Sequence, residues 1–158
     1  MDYGQVAGLT AELKAQMRLI DRVYQRLNDR AASGLDTPAQ LESVAYQIHN
    51  LYCAVEDLLK LVANAFENQL GASSAWHRML LLRLSQPVEG IRPAFLSEEA
   101  FDCLNRLRGF RHFIRHGYGA EIELTQLQTN LAAAIDSRQL ISQDLHRFLG
   151  EIGDRDEA

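Results

Sequence analysis

Apolar residues recur along this chain at steps of three and four positions, and no segment alternates regularly between apolar and polar residues. Steps of three and four place apolar side chains on one face of an α-helix, whereas a half-buried strand alternates at every second residue. The pattern therefore predicts an all-α fold, a four- to five-helix up-and-down bundle.

The first two predicted helices are long. The first ends at Ser33-Gly34, because glycine favours helix termination. The second begins at Thr37-Pro38 and runs to Gly71, since threonine suits an N-cap, proline suits the first helical position, and Gln40 can complete a capping box. We expect these two helices to form an antiparallel hairpin of roughly 45 Å at 1.5 Å per residue.

Three further helices are predicted in the second half of the chain. One begins at Ser73 or Ser74, one begins after the capping hydroxyl of Ser97, and the last begins at Thr125, which could also form a capping box. We expect a single domain over residues 1–152, followed by a charged tail, 153–158, that frays.

Composition is consistent with one globular domain in a reducing compartment. The chain has 158 residues, of which 47% are apolar, enough for a substantial core. Cys53 and Cys103 lie in apolar-periodic segments, so we expect reduced thiols in the core. No stretch resembles a secretory signal or a membrane-spanning segment, so we expect a cytoplasmic protein without membrane association.

A basic cluster stands out against the overall charge of −5. The stretch 103–120 contains four arginines and two histidines and has no acidic residue: Arg106, Arg108, Arg111, His112, Arg115 and His116. Arginine can grip a phosphate with two donors, and histidine, with an ordinary pKa of about 6.5, can exchange a proton near neutrality. The acidic whole argues against a broad nucleic-acid-coating surface but allows a local RNA-binding cleft.

A helical wheel predicts that the basic face, which includes Arg108, Arg111 and Arg115, points away from the core. Arg111 and His116, five positions apart, would diverge by about 140° on one straight helix. Either Gly117 ends the helix and reorients the histidine, or a second subunit completes the site. A solvated surface without any catalytic role is the alternative interpretation.

The segment Arg111-x4-His116-x-Tyr118 resembles the R-x4-H-x-Y signature of HepT toxins, the HEPN-domain ribonucleases of bacterial and archaeal toxin–antitoxin pairs. The resemblance covers most of the chain from Val44 onward. It also includes other stretches: Trp76-His77-Arg78 with Leu80-Leu81, the helix from Leu104 to Arg111, and residues 118–124.

This resemblance implies a HEPN-like bundle that dimerises through its motif-bearing helices and acts as a metal-independent endoribonuclease. Arg111 and His116 would be catalytic, and Arg108, His112 and Arg115 would bind flanking RNA phosphates. We identify no convincing metal-ligand set, so no metal or cofactor is expected.

The resemblance also implies a partner. HepT pairs are toxin–antitoxin systems of type II or of a type VII-like class. Their antitoxin is a minimal nucleotidyltransferase (MNT) that transfers AMP from ATP to the motif tyrosine. The corresponding residue in this chain is Tyr118. A covalent phosphate at this position would occupy the site intended for RNA phosphate.

Two other functions stay open. The chain could be a non-catalytic HEPN binding subunit of a nucleotidyltransferase, or a structural bundle whose arginine face docks an acidic partner. The remaining candidates are weaker. Trp76 is expected to be a core or interface anchor, and His49, His77 and His146 are expected to be structural. Glu56 and Asp57 could reach the cluster from a neighbouring element.

Overall fold

The computed structural model of the protein describes residues 1–67, 76–117 and 119–156, without the side chains of 155 and 156. Over these ranges the elements are all helical: α1 (Tyr3–Ala32), α2 (Pro38–Glu67), α3 (Trp76–Leu84), α4 (Glu98–His116) and α5 (Leu124–Asp156). The described part of the chain contains no strand, only an isolated bridge between Val88 and Arg92. The prediction of an all-α helical bundle is therefore confirmed.

Helix α2 is the central element of the bundle, because it packs against each of the other four helices. Its buried side chains recur at helical spacing and include Val44, Ile48, Leu51, Val55 and Leu58. The α1–α2 pair is the most extensive contact, as expected for a long hairpin. Among the described residues, no helix combines the length and the apolar character needed to cross a membrane.

The turn between α1 and α2 has the chemistry that the sequence predicts. Gly34 has a φ of +110°, a conformation that suits glycine because a Cβ would be strained there. The Thr37 hydroxyl oxygen accepts from the Gln40 N–H at 3.2 Å, and the Gln40 side-chain oxygen accepts from the Thr37 N–H at 3.1 Å. The predicted capping box is thus present.

The start of α4 is fixed by its own cap and by α5. The Ser97 hydroxyl oxygen accepts from the Ala100 N–H at 3.2 Å, which confirms the predicted cap. The buried carboxylate of Asp144, on α5, accepts in turn from the Ser97 N–H at 2.8 Å and from its hydroxyl at 3.0 Å. Because Asp144 holds the capping residue, α4 begins at a fixed place on α5.

The boundaries of α5 differ from the prediction. The helix begins at Leu124, so Thr125 lies inside the first turn and is not the N-cap. It continues through Gly153 to Asp156, although a tail was expected from residue 153. Glycine costs a helix only about 1 kcal/mol relative to alanine, so packing of the preceding turns can carry the helix through it. The predicted end of the second helix at Gly71 and start of the third at Ser73 or Ser74 lie outside the described residues.

A buried arginine ties the C-terminal end of α2 to α3 and to the loop before α4. The Arg92 side chain has no exposed surface and pairs with the carboxylate of Glu67. Its guanidinium also donates to the carbonyls of Gln86, Pro93 and Arg83 at 2.9, 3.2 and 3.0 Å. These partners compensate the cost of burying the charge, and they hold α3 against α2.

Candidate active site

The last two turns of α4 carry two histidines on their outer side. His112 and His116 are both exposed, and their ring centroids lie 4.5 Å apart. Helix α4 includes His116, and the Gly117 N–H donates to the Phe113 carbonyl at 2.8 Å. A Cβ at position 117 would lie 2.7 Å from that carbonyl oxygen, so the close approach requires glycine. The helix therefore does not turn His116 back toward Arg111.

Arg111 lies on a different side of α4, half-buried beneath α3. Its Nη1 is 3.4 Å from Nε2 of His77. Its Nε is buried and has no hydrogen-bond partner among the described residues. The side chain thus keeps a free donor close to an imidazole.

The prediction that the whole basic face points away from the core is wrong for two of its arginines. Arg108 and Arg111 are half-buried, whereas His112 and Arg115 are exposed. The reason is that α2 and α3 both pack against α4 and cover part of this face. A helical wheel of α4 alone cannot show which parts of its surface the neighbouring helices cover. The Nε of Arg108 donates to the Asn105 side-chain oxygen at 3.1 Å, so this guanidinium is held along α4.

His77, expected from the sequence to be a structural histidine, lies next to the basic cluster and contacts both Glu56 and Arg111. Its Nδ1 is 2.7 Å from a carboxylate oxygen of Glu56, a residue only 3% exposed. Glu56 thus reaches the basic cluster through His77, as the sequence left open. Asp57 does not reach it, since it is exposed and pairs with Lys60 at 3.4 Å.

Spacing provides a signal that could have found both residues. His77 precedes the buried Leu80, Leu81 and Leu84 by three, four and seven positions, so it shares their face of α3. Glu56 stands four positions after the buried Tyr52 and three before the buried Leu59. Polar groups at such positions are expected to find partners inside the protein.

The electrostatic environment is set by the arginines on one side and by Glu56 on the other. Burial, followed by the charges of Arg111 and Arg115, lowers the pKa of His49. Burial, followed by the charge of Glu56, raises the pKa of Tyr52 far above its usual range. The positive potential around the arginines therefore disfavours further positive charge. The same potential would attract an anionic phosphate.

Other predicted features take the following places. Trp76 is half-buried against the core, and the Lys60 ammonium lies 5.8 Å from its ring centroid. His146 is exposed on α5, so it is not a satisfied core histidine. Cys53 and Cys103 are free thiols, both half-buried. Tyr118 lies outside the described residues.

Within the described ranges, no three or more His, Cys, Asp or Glu side chains cluster as a metal site. His112 and His116 do have the spacing His-x-x-x-His, which the sequence interpretation overlooked. Two ligands fall short of the three or four protein ligands typical of zinc sites, and the adjacent Arg115 disfavours a bound cation.

A cavity of about 450 Å³ lies beside the C-terminal end of α4. Its lining includes Tyr46, Phe113 and Gly117, and its charged groups are the carboxylates of Glu42 and Glu121. Carboxylates repel a phosphodiester, so this cavity does not suit an RNA backbone. The basic side chains of α4 are the better candidate for that ligand.

The fold and the basic cluster at the end of α4 define a HEPN-type helical protein. The family model of HepT-like proteins matches residues 43–152, so the chain belongs to that family. Comparison with curated proteins and with solved structures gives no match. The matched region includes His77, Glu56 and the whole of α4.

Proposed function

We propose that this protein is the toxin of a toxin–antitoxin pair, a metal-independent endoribonuclease that acts as a homodimer. Membership of the HepT-like family supports the toxin class. The chemical support comes from α4, whose last turns present arginines and histidines without an acidic residue. This combination can bind a phosphodiester and move protons around it.

The observation that supports a dimer is that the side chains of Arg111 and His116 point in different directions. Within one chain, Arg111 is half-buried toward α3, while His116 is exposed at the helix end. A second copy facing the first across a two-fold axis would supply the missing groups. One active cleft would then take an arginine and a histidine from each chain.

The reaction would proceed by attack of a ribose 2′-hydroxyl on the neighbouring phosphorus. His116 of one chain would remove the hydroxyl proton, and the same residue of the second chain would protonate the departing 5′-oxygen, leaving a cyclic phosphate. General acid–base catalysis of this kind is worth about 10²–10⁴ in rate. Arg111 would stabilise the charge that builds on the phosphate oxygens.

The flanking phosphates would be bound by the remaining basic side chains of the cluster. His112 and Arg115 are exposed and can contact RNA directly. Arg108 is half-buried and held by Asn105, so it would act at the edge of the cleft. Such contacts fix register and supply affinity without reading the base sequence.

The cleavage test uses untagged protein and a long RNA substrate. We expect wild-type protein to cleave RNA in the presence of EDTA, and Arg111→Ala and His116→Ala to lose at least about 10²-fold in rate. His146→Ala, which removes an exposed histidine from α5, is the matched control and should retain activity. Intact RNA after incubation with dimeric wild-type protein would contradict the proposal.

The proposed antitoxin is a minimal nucleotidyltransferase that AMPylates Tyr118. A phosphate attached there would compete with RNA phosphate for the basic cluster. Intact-mass measurement of the toxin co-expressed with the antitoxin should show one or more added AMP groups in wild-type protein and none in Tyr118→Phe. An unmodified wild-type mass in cells that survive toxin expression would instead mean neutralisation by sequestration.

A further inference from the structure

We propose that Glu56 and His77 are positioning residues that hold Arg111 for phosphate binding without neutralising its charge. The effect of this positioning on catalysis rests on the function proposed above. The geometry is a chain of contacts from α2 through α3 to α4. Glu56 lies 2.7 Å from His77, and His77 lies 3.4 Å from Arg111.

The buried carboxylate selects the tautomer of the imidazole. An ionised Glu56 can only accept, so Nδ1 of His77 carries the proton and donates it at 2.7 Å. A neutral ring then has a lone pair on Nε2, directed at the guanidinium of Arg111. The imidazole therefore acts as an acceptor for the Nη1 hydrogen of that arginine.

This arrangement differs from a direct arginine–carboxylate pair in one important respect. A carboxylate on Arg111 would form a bidentate ion pair and compete with the RNA phosphate for the same donors. A neutral imidazole orients the guanidinium but leaves its positive charge uncompensated. The contact with His77 uses only Nη1, and the buried Nε of Arg111 has no partner among the described residues, so no carboxylate is paired with the inner edge of the guanidinium.

The charge of Glu56 is compensated elsewhere. Lys60 places its ammonium 3.4 Å from the other oxygen of Glu56, one helical turn along α2. A buried carboxylate without such a partner would be strongly unfavourable. Glu56 therefore already has a counter-ion in Lys60, and Arg111 does not need to serve as one.

Two substitutions of His77 separate orientation from mere packing. Glutamine can place its side-chain oxygen near the position of Nε2 and still accept from Arg111, whereas asparagine keeps a donor toward Glu56 but ends short of Arg111. We expect His77→Gln to retain most of kcat. We expect His77→Asn to lose about 10²-fold in kcat with a smaller change in KM, because misplacing a catalytic group by about 1 Å costs that much.

A double mutant checks that the effect passes through Arg111. On an Arg111→Ala background, His77→Asn should lower cleavage no further, since residues that act as a unit are not additive. Thermal unfolding of each variant gives its folded fraction, so that loss of fold is separated from loss of rate. Equal losses in His77→Gln and His77→Asn, or full additivity with Arg111→Ala, would overturn the proposal.

A second readout needs no catalysis. In ¹⁵N NMR of the full chain at neutral pH, His77 should show a protonated Nδ1 and an unprotonated Nε2, and Glu56→Ala should abolish that preference. A cationic ring or a protonated Nε2 in wild-type protein would contradict the positioning role. If the protein does not cleave RNA, the proposed function fails, while this spectrum still decides on the Glu56–His77–Arg111 contact.

Discussion

The charge of the arginines in α4 reaches a histidine on the neighbouring helix. His49, on α2, is half-buried, and its pKa is lowered first by burial and then by Arg111 and Arg115. Burial disfavours the cationic ring because it removes hydration, and the two guanidinium groups add like-charge repulsion. His49 is therefore a built-in reporter of the potential in the proposed cleft.

We predict that His49 titrates below its ordinary pKa of 6.5 and that Arg115→Ala raises this pKa toward 6.5. The reason is that the substitution removes one of the two repelling charges. The measurement is a pH titration of the imidazole carbon-bound protons by NMR, with His49→Gln used to assign the signal. An unchanged pKa in Arg115→Ala would show that Arg115 does not contribute to the lowered pKa of His49.

The lowered pKa of His49 also determines how the free energy of unfolding changes with pH. The folded chain binds a proton at His49 less readily than the unfolded chain, so His49 contributes stability above pH 6.5 that is lost as the pH falls below it. Urea unfolding should therefore show wild type losing stability relative to His49→Gln as the pH falls from neutrality to below 6.5, because glutamine does not titrate. The opposite trend would contradict the lowered pKa.

Among the elements, α3 has a larger role in the site than its length suggests. It has nine residues, and its buried leucines lie on the same face as His77. The anchoring of α3 by Arg92 and Glu67 fixes the position of that face against α2. Because Glu56 and Arg111 belong to two other helices, the position of α3 decides whether the three side chains meet.

Helix α4 is held at both ends by specific contacts. Asp144 of α5 fixes its start at Ser97, and the close approach of Gly117 to the Phe113 carbonyl defines its end. These contacts determine the register of α4 and hence which arginines face α3. The exposed histidines follow from the same register, since they lie on the uncovered side.

The whole molecule presents His116 on its surface, so the proposed cleft exists only when two copies pair. In an equal mixture of wild-type and His116→Ala protein that exchanges subunits freely, about one quarter of dimers are wild-type homodimers. If both copies of the histidine are required, cleavage should fall to about one quarter of that of wild type at the same total protein concentration. Activity near one half would mean that each chain works independently.

The control for this experiment is an equal mixture of wild type with His146→Ala, which should keep full activity. Subunit exchange itself can be followed by mass spectrometry of isotopically labelled protein. A strictly monomeric wild-type protein that cleaves RNA would contradict the shared cleft while leaving the ribonuclease proposal in place.

Much of the fold could be predicted from the sequence, because each helix carries local signals. The capping residues Thr37 and Ser97 and the glycine at position 34 determine helix ends through contacts within a few residues. The predicted cap at Thr125 lies two positions after the residue that precedes α5, within the usual uncertainty of a helix terminus. The spacing of Arg111 and His116 likewise belongs to the chain itself.

The environment of Arg111 could not be read in the same way. Glu56 and His77 are 21 positions apart, and His77 and Arg111 are 34 positions apart. Periodicity shows which residues share a face of one helix. It does not show which face of a second helix packs against them. The sequence alone determined the helices, the basic cluster and the family resemblance. Only the packing of α2, α3 and α4 decided that Arg111, on a face predicted to point away from the core, lies half-buried against an imidazole.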